Sequence, residues 1–270
     1  MKSTTATRRE PDASEATSSV TKACRILRAL TQLEQPRLTD IAQLADLDKA
    51  TVLRLMDALT REGFVRRDSV SKLYSPGPEL LLAGTTALLQ RDPRALARPS
   101  LLRLADEFED TAILSVPSGS ESLCLDLELG RYPIRANYLA PGHRRPLGVG
   151  AGSLALLAWM PEREREAVLD TVAAQLQRTR SHPAIDRTLL ETKAAQSRER
   201  GYCVLLDVVV ERMGGIAVPI LGMDGRPVAA LSIAALTDRI TSREAALVAT
   251  LQREAALCQA LWAAPASRRT

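Results

Sequence analysis

The chain has 270 residues, 46% hydrophobic and 25% charged, the composition of an ordinary globular protein with length for two domains. Aromatic residues make up only 3%, too few for a sugar-binding groove or a base-stacking platform. The net charge of +4 does not by itself establish a nucleic-acid partner, and no apolar run approaches the roughly 18 residues of a membrane span.

Cys24, Cys124, Cys203 and Cys258 are scattered singly, with no C-x-x-C pair, and His143 and His182 are far apart. The pattern predicts four reduced, packed thiols, with no metal site and no cofactor. Residues 1–18 are polar and without period, which predicts a disordered arm; lacking an apolar h-region, they are not a secretory signal, so a cytoplasmic location is expected.

From Val20 the pattern becomes helical. Val20, Ala23, Leu27 and Leu30 recur at helical spacing, and after Gln35-Pro36, Thr39 is placed to cap a short second helix with Leu38, Ile41, Ala42 and Ala45 on one face. Asp46-Leu47-Asp48 reads as a tight turn with Leu47 plugging the core. A third helix runs from Lys49 to about Glu62, with Val52, Leu55, Met56 and Leu59 as its inward stripe and Gly63 as its stop. Phe64–Arg67 and Lys72–Ser75 flank a polar turn and predict a two-stranded hairpin. Helix, helix, tight turn, helix and wing make a winged helix-turn-helix, here residues 19–79, whose third helix can enter a major groove. Lys49, Ala50, Thr51, Leu53 and Arg54 on that helix are the candidates for base and phosphate contact. Arg66, Arg67 and Lys72 on the wing suit the adjacent backbone or minor groove, and Arg37 and Thr39 suit phosphate.

Residues 80–97 read as a helical linker, and Asp92-Pro93 and Arg98-Pro99 punctuate the joint before the next helix. Leu80, Leu81, Leu82, Leu88 and Leu89 give it more apolar surface than one solvated helix needs, so it is expected to pair with a second chain. Residues 98–264 mix strands and helices in an α+β pattern, with a tail at 265–270. Leu123, Leu125, Leu127 and Leu129 alternate with polar residues. Gly148–Gly152 opens a helix from Ser153, and further helices cover 161–180 and 185–200. Cys203–Val210, Ile216–Leu221 and Pro227–Ala234 are strand candidates, and Ser242 is placed to cap a terminal helix to about Ala263.

No catalytic constellation accompanies this pattern. Gly150-Ala151-Gly152-Ser153-Leu154 is not a nucleophile elbow, the glycines lack phosphate-loop and dinucleotide spacing, and Glu162, Glu164 and Glu166 read as a solvated helix face. The glycine stretch can instead bring backbone N–H groups at a helix start close to a carboxylate, or serve tight packing.

Leu38-Thr39-Asp40-Ile41-Ala42, the run Leu47–Leu55, Glu62-Gly63-Phe64-Val65, Pro146–Gly152, Arg200-Gly201-Tyr202, Ala217–Ile220 and Ala229–Ile233 together resemble the IclR-type bacterial transcription regulators, in order, over about residues 19–263. The resemblance implies a winged helix-turn-helix, a helical linker and a GAF-like domain that binds a small organic effector, in a homodimer or dimer of dimers. Its partner is double-stranded operator DNA, with no membrane and no catalysis. It carries Cys203, Leu206, Gly215 and Ser232 over as pocket-wall candidates beside Gly150, Ala151 and Ser153. Asp207 is a further candidate, which would repel an acid if it faced inward. The chain departs from the common pattern at Leu205–Val208, Ser153 and Gly215, so a specialised pocket is expected, suited to an aromatic or short aliphatic acid. Two alternatives stand beside this reading: an enzyme with an accessory helical domain, and a sensor whose winged helix docks protein.

Overall fold

A computed structural model describes residues 18–90, 92–135 and 139–263. The expected arm, apart from Ser18, and the expected tail lie outside the described residues. The chain forms two units, one ending at Gln90 and one starting at Arg91.

In the first unit, α1 (Ser19–Gln32) starts at Ser18, whose Oγ accepts the N–H of Thr21 at 3.1 Å. The second helix, α2 (Leu38–Ala45), is capped at Arg37 without a side-chain bond. Thr39 is therefore not its cap: it lies inside the helix and donates its hydroxyl to Asp40. Asp46, at φ +53°, ends α2, and its N–H reaches the carbonyls of Ala42 and Gln43. One residue later Asp48 caps α3 (Lys49–Arg61), its Oδ1 accepting the N–H of Thr51 at 2.8 Å. Two short acidic side chains thus build the turn, one tolerating left-handed backbone and one satisfying a helix-end donor. Ile26, Leu30, Ile41, Val52 and Met56 are fully or almost fully buried together, with Leu47 and Leu59 packed against them. The wing is β1 (Val65–Arg67) paired antiparallel with β2 (Tyr74–Pro76). Asp68 ties its tip by accepting from the N–H groups of Val70 and Ser71 and from the Ser71 hydroxyl. The chain continues into α4 (Pro78–Gln90).

The second unit begins with α5 (Pro93–Phe108), which is one helix: the break expected at Pro99 is absent, and that proline stands exposed within it. Its buried face of Ala97, Leu101, Leu104 and Phe108 carries the helix past the lost hydrogen bond. Six antiparallel strands follow in the spatial order β5-β4-β3-β8-β7-β6. They are β3 (Thr111–Ser118), β4 (Glu121–Glu128), β5 (Arg144–Pro146), β6 (Cys203–Leu206), β7 (Met213–Leu221) and β8 (Pro227–Leu236). On the opposite face to α5 lie α6 (Ala151–Ala158), α7 (Glu162–Thr179) and α8 (Arg187–Arg200). Alongside α5 packs α10 (Glu244–Ala263), preceded by the short α9 (Thr237–Thr241). Ser242 is the C-cap of α9 and not the cap of α10.

The period-two rule sorts the two faces. Ile216, Val218 and Ile220 of β7, with Leu231 and Ile233 of β8, form one core with α5 and α10. The alternate positions carry small residues, Gly215, Ala217, Ala230 and Ser232, which let α6 lie close on the sheet. A Cβ at Gly215 would stand 3.0 Å from that of Ala151. All eight residues of α6 are buried, as a helix between a sheet and other helices must be.

Candidate functional site

The first candidate surface is the outward face of α3 and the wing. Lys49, Ala50, Leu53, Arg54, Arg66, Arg67 and Lys72 are exposed, as are Arg37 and Thr39 at α2, while Thr51 is half-buried and spends its N–H on Asp48. That N–H, with the Thr51 hydroxyl, holds the Asp48 carboxyl below its ordinary range. Among the described residues Lys49, Arg54 and Arg66 enter no ion pair, so the pairing of Arg54 with Asp57 that helical spacing allows is not made. Arg67 lies over the Tyr74 ring at 5.3 Å, and Lys72 donates its ammonium to the Ser69 carbonyl at 2.6 Å, inside the wing's own turn. In the second unit some arginines are spent on buried carboxylates. Arg239 and Arg243 both grip the buried Asp110, at 3.0 and 2.5 Å, and Arg103 holds the buried Glu254 at 2.5 Å.

The second candidate is a cavity between the sheet and the N-terminus of α6. Its floor is Ser122 and Cys124 of β4, Ile113 and Ser115 of β3, Ser232 and Ala234 of β8, Gly215 and Met213 of β7, and Leu205 of β6. Its walls are His143 and Arg145 from β5 and the residue before it, Leu139, Val149–Ser153, and Val209 and Val210. The cavity volume is about 50 Å³. Gly150, at φ +97°, caps α6, and a Cβ there would stand 3.5 Å from Nη1 of Arg145. The N–H groups of Ala151, Gly152 and Ser153 have no acceptor among the described residues, as the first turn of a helix leaves them. Ser153 contributes structure as well: its hydroxyl donates to the Pro146 carbonyl and accepts from the Gly148 N–H, locking the glycine loop.

Five of the expected wall residues, Gly150, Ala151, Ser153, Gly215 and Ser232, meet in this cavity, and three lie elsewhere. Leu206 faces the α5–α10 core, because strand alternation puts Leu205 and not Leu206 toward α6. Cys203 shares the α6 side of β6 but is wholly buried among α6 and α8 side chains, and burial pushes its thiol up to about 12. Asp207 adopts φ +60°, ends β6 four residues earlier than the expected Val210, and accepts the Thr237 hydroxyl at 2.8 Å, outside the cavity. Sequence reasoning passed over Ser115, Ser122, Cys124, His143 and Arg145. The alternation read for the leucines of β4 held the signal for two of them, since its polar register, Ser122 and Cys124, is the one that faces the cavity. Burial pushes the Cys124 thiol up to about 11, so neither cavity-side cysteine is a ready nucleophile. Among the described residues no cluster of His, Cys, Asp and Glu could hold a metal, and no helix is long and apolar enough to cross a membrane.

Two family models match the chain: the IclR helix-turn-helix domain over residues 19–69, and the C-terminal domain of the bacterial transcriptional regulator IclR over residues 85–258. The chain belongs to the IclR family. It is a DNA-binding transcription regulator and not an enzyme. The regulator XynR of Escherichia coli is 29% identical over 84% of this chain and 90% of its own length. The probable regulator SauR of Cupriavidus necator is 28% identical over 82% and 86%. Among solved structures, the IclR regulator of Alicyclobacillus acidocaldarius superposes with a TM-score of 0.72 at 26% identity, over 91% of this chain and 98% of its own. An IclR homologue of Microbacterium hydrocarbonoxydans, solved with 4-hydroxybenzoate, shares the fold at a TM-score of 0.70 and 24% identity, over 90% and 98%.

Proposed function

We propose that this regulator reads operator DNA with α3 and the wing, as a homodimer in the cytoplasm, and that a small organic acid bound in the α6 cavity changes its affinity for that DNA. The domains follow: residues 19–79 read DNA, 80–97 link, and 98–264 form the GAF-like effector domain. The observation that carries the DNA assignment is that Lys49, Arg54 and Arg66 are exposed on α3 and the wing and enter no ion pair among the described residues. Unpaired, exposed cations on α3 and on the wing beside it are available for phosphates and guanine edges. Lys49, Arg54 and Arg66 fit that description; Arg37, Arg67, Thr39 and Thr51 are placed to assist, and Ala50 and Leu53 offer apolar contact to thymine methyls.

The cavity is assigned to the effector because it lies on the sheet beneath an unsatisfied helix N-terminus, and such a terminus favours an anion. The same fold holds an organic acid in the Microbacterium homologue. Pairing of two chains is supported by Leu81 and Leu82 of α4, which are 73% and 61% exposed; the side chains of Leu88 and Leu89 lie outside those described. A stable dimer would bind a two-fold symmetric site.

Selection of duplexes from a random-sequence pool, followed by mobility shifts with and without a panel of small acids, tests the proposal. It predicts a palindromic consensus, affinity that falls steeply with salt, and a shift on adding at least one acid. Salt-independent binding, or none, would place the winged helix in protein docking instead.

A further inference from the structure

We infer that the β6–β7 loop, residues 207–212, is the movable wall of the cavity, and that α9 passes its position to the last turn of α5 through Thr237, Arg239 and Asp110; this rests on the reading of the cavity as the effector site. The destination matters because α4 ends at Gln90 and α5 starts at Pro93. A shift at one end of α5 is carried along the helix to the linker side of the chain.

The loop hangs on one residue. Asp207 and Arg212 both adopt φ +60°, left-handed backbone that a residue with a side chain keeps only where its surroundings hold it. Thr237, the first residue of α9, does the holding: its hydroxyl donates to Asp207 at 2.8 Å and its N–H to the Arg212 carbonyl at 3.0 Å. Between these two points Val209 and Val210 line the cavity, and Val210 is 39% exposed. Whatever fills the cavity presses on those two side chains, and the ends of their loop both pull on Thr237.

The rest of α9 is spent on α5. Its Ile240 is fully buried and rests on the root of the loop, where a Cβ at Gly214 would stand 3.5 Å from Cγ1 of Ile240. Arg239 donates to the buried Asp110 and to the Phe108 carbonyl, both at 3.0 Å, and Arg243 donates to the same carbonyl at 3.1 Å and to that of Arg239 at 2.9 Å. Phe108 is the final residue of α5. The Arg239 guanidinium also lies 3.6 Å from the centre of the Tyr132 ring, whose own N–H donates to the Glu109 carbonyl. A helix of five residues anchored in this way cannot turn about Ile240 without moving the loop at one side and the end of α5 at the other.

One buried group at this corner is unsatisfied. Thr111, next to Asp110, is wholly buried, and its hydroxyl has no hydrogen-bond partner among the described residues. It shares the register of Ile113 and Ser115, which line the cavity, and pairs with Ala234 of the cavity floor. A buried hydroxyl without a partner costs free energy that a shifted corner can recover, which leaves a second arrangement within reach.

Hydrogen exchange on the full chain tests the relay without a ligand, read well below the melting temperature and against residues 229–233 in the centre of the sheet, which report global opening. Thr237→Val removes the bond to Asp207 and keeps the backbone bond to Arg212. It is expected to speed exchange at least three-fold in the last turn of α5, residues 106–109, as well as in the loop. Reciprocally, Asp110→Asn, at the far end, is expected to speed exchange at least three-fold in residues 207–212. Faster exchange confined to the loop and α9 in the first variant, or an unaltered loop in the second, overturns the inference. Mobility shifts with benzoate, 4-hydroxybenzoate, lactate and glycerate add the regulatory arm. An acid that changes the DNA affinity of the parent is expected to change that of Thr237→Val at least five-fold less. An equal change in both overturns the relay and leaves the effector reading intact. If none of the four acids changes the affinity of the parent, the effector reading loses its support, and the exchange result alone decides the relay.

Discussion

Replacing Arg54 with Ala separates the roles of fold and DNA contact, because the side chain is exposed on α3 and enters no ion pair among the described residues. Its loss removes no buried contact and puts a stronger helix former on a helix already capped by Asp48, so stability should change by less than about 0.5 kcal/mol. A bidentate contact to a guanine edge is worth about 1–3 kcal/mol, a roughly 5- to 150-fold loss of affinity for each half-site. The loss should be concentrated on duplexes that keep the contacted base. Arg66→Ala, on the wing, should weaken all sequences alike and make the slope of log affinity against log salt shallower by about 0.9. Fluorescence anisotropy with the selected duplex and single-base variants, at four salt concentrations, reads both effects, and a thermal melt checks the fold. A folded Arg54→Ala protein with parental affinity and base preference would refute the assignment of α3 as the reading helix.

Three further outcomes follow from the second unit. Asp110→Ala strips Arg239 and Arg243 of their shared carboxylate and leaves them backbone carbonyls and the Tyr132 and Phe108 rings; breaking a buried pair of this kind costs about 3 kcal/mol, a drop of roughly 6–12 °C in melting temperature. An unchanged melt would show the cluster to be dispensable. Burial works against ionisation of Glu254, but the Arg103 guanidinium and Ser100 outweigh it and hold the carboxyl below its ordinary range. Its stabilising contribution is complete above the unfolded value of about 4.3 and is lost as pH falls through the lower folded value, so Glu254→Gln should flatten the acid limb of the stability curve there. An acid limb identical in both proteins would assign that loss to other carboxylates. A thiol reagent at pH 8 should modify the exposed Cys24 promptly and spare Cys124, Cys203 and Cys258, whose thiols burial pushes up. Equal rates for Cys203 and Cys24 would contradict the packing described for β6.

Helical periodicity made the first unit legible: Val52, Leu55 and Met56 are inward because a helix repeats every 3.6 residues, and Asp46 and Asp48 mark the turn because each satisfies helix-end backbone. The second unit was harder where burial is two-sided. Thr111–Ser115 of β3 is buried at every position, so it shows no alternation to read, and β5 is only three residues long. Leu206 was misplaced by one residue, which in a strand means the opposite face. Arg145 was missed because nothing local distinguishes a cavity arginine from the ion-paired Arg144 beside it; only the fold brings it to Gly150. Pro99 reads locally as a break, yet the buried stripe on both sides of it continues the helix.

The central claim is that cavity and DNA are thermodynamically linked. The most direct measurement is the dissociation constant of the selected duplex at zero and at saturating concentration of the acid that calorimetry finds tightest. The account predicts a change of at least about five-fold, and linkage requires that saturating duplex change the dissociation constant of the acid by the same factor. Equal DNA affinities with and without saturating acid would contradict it.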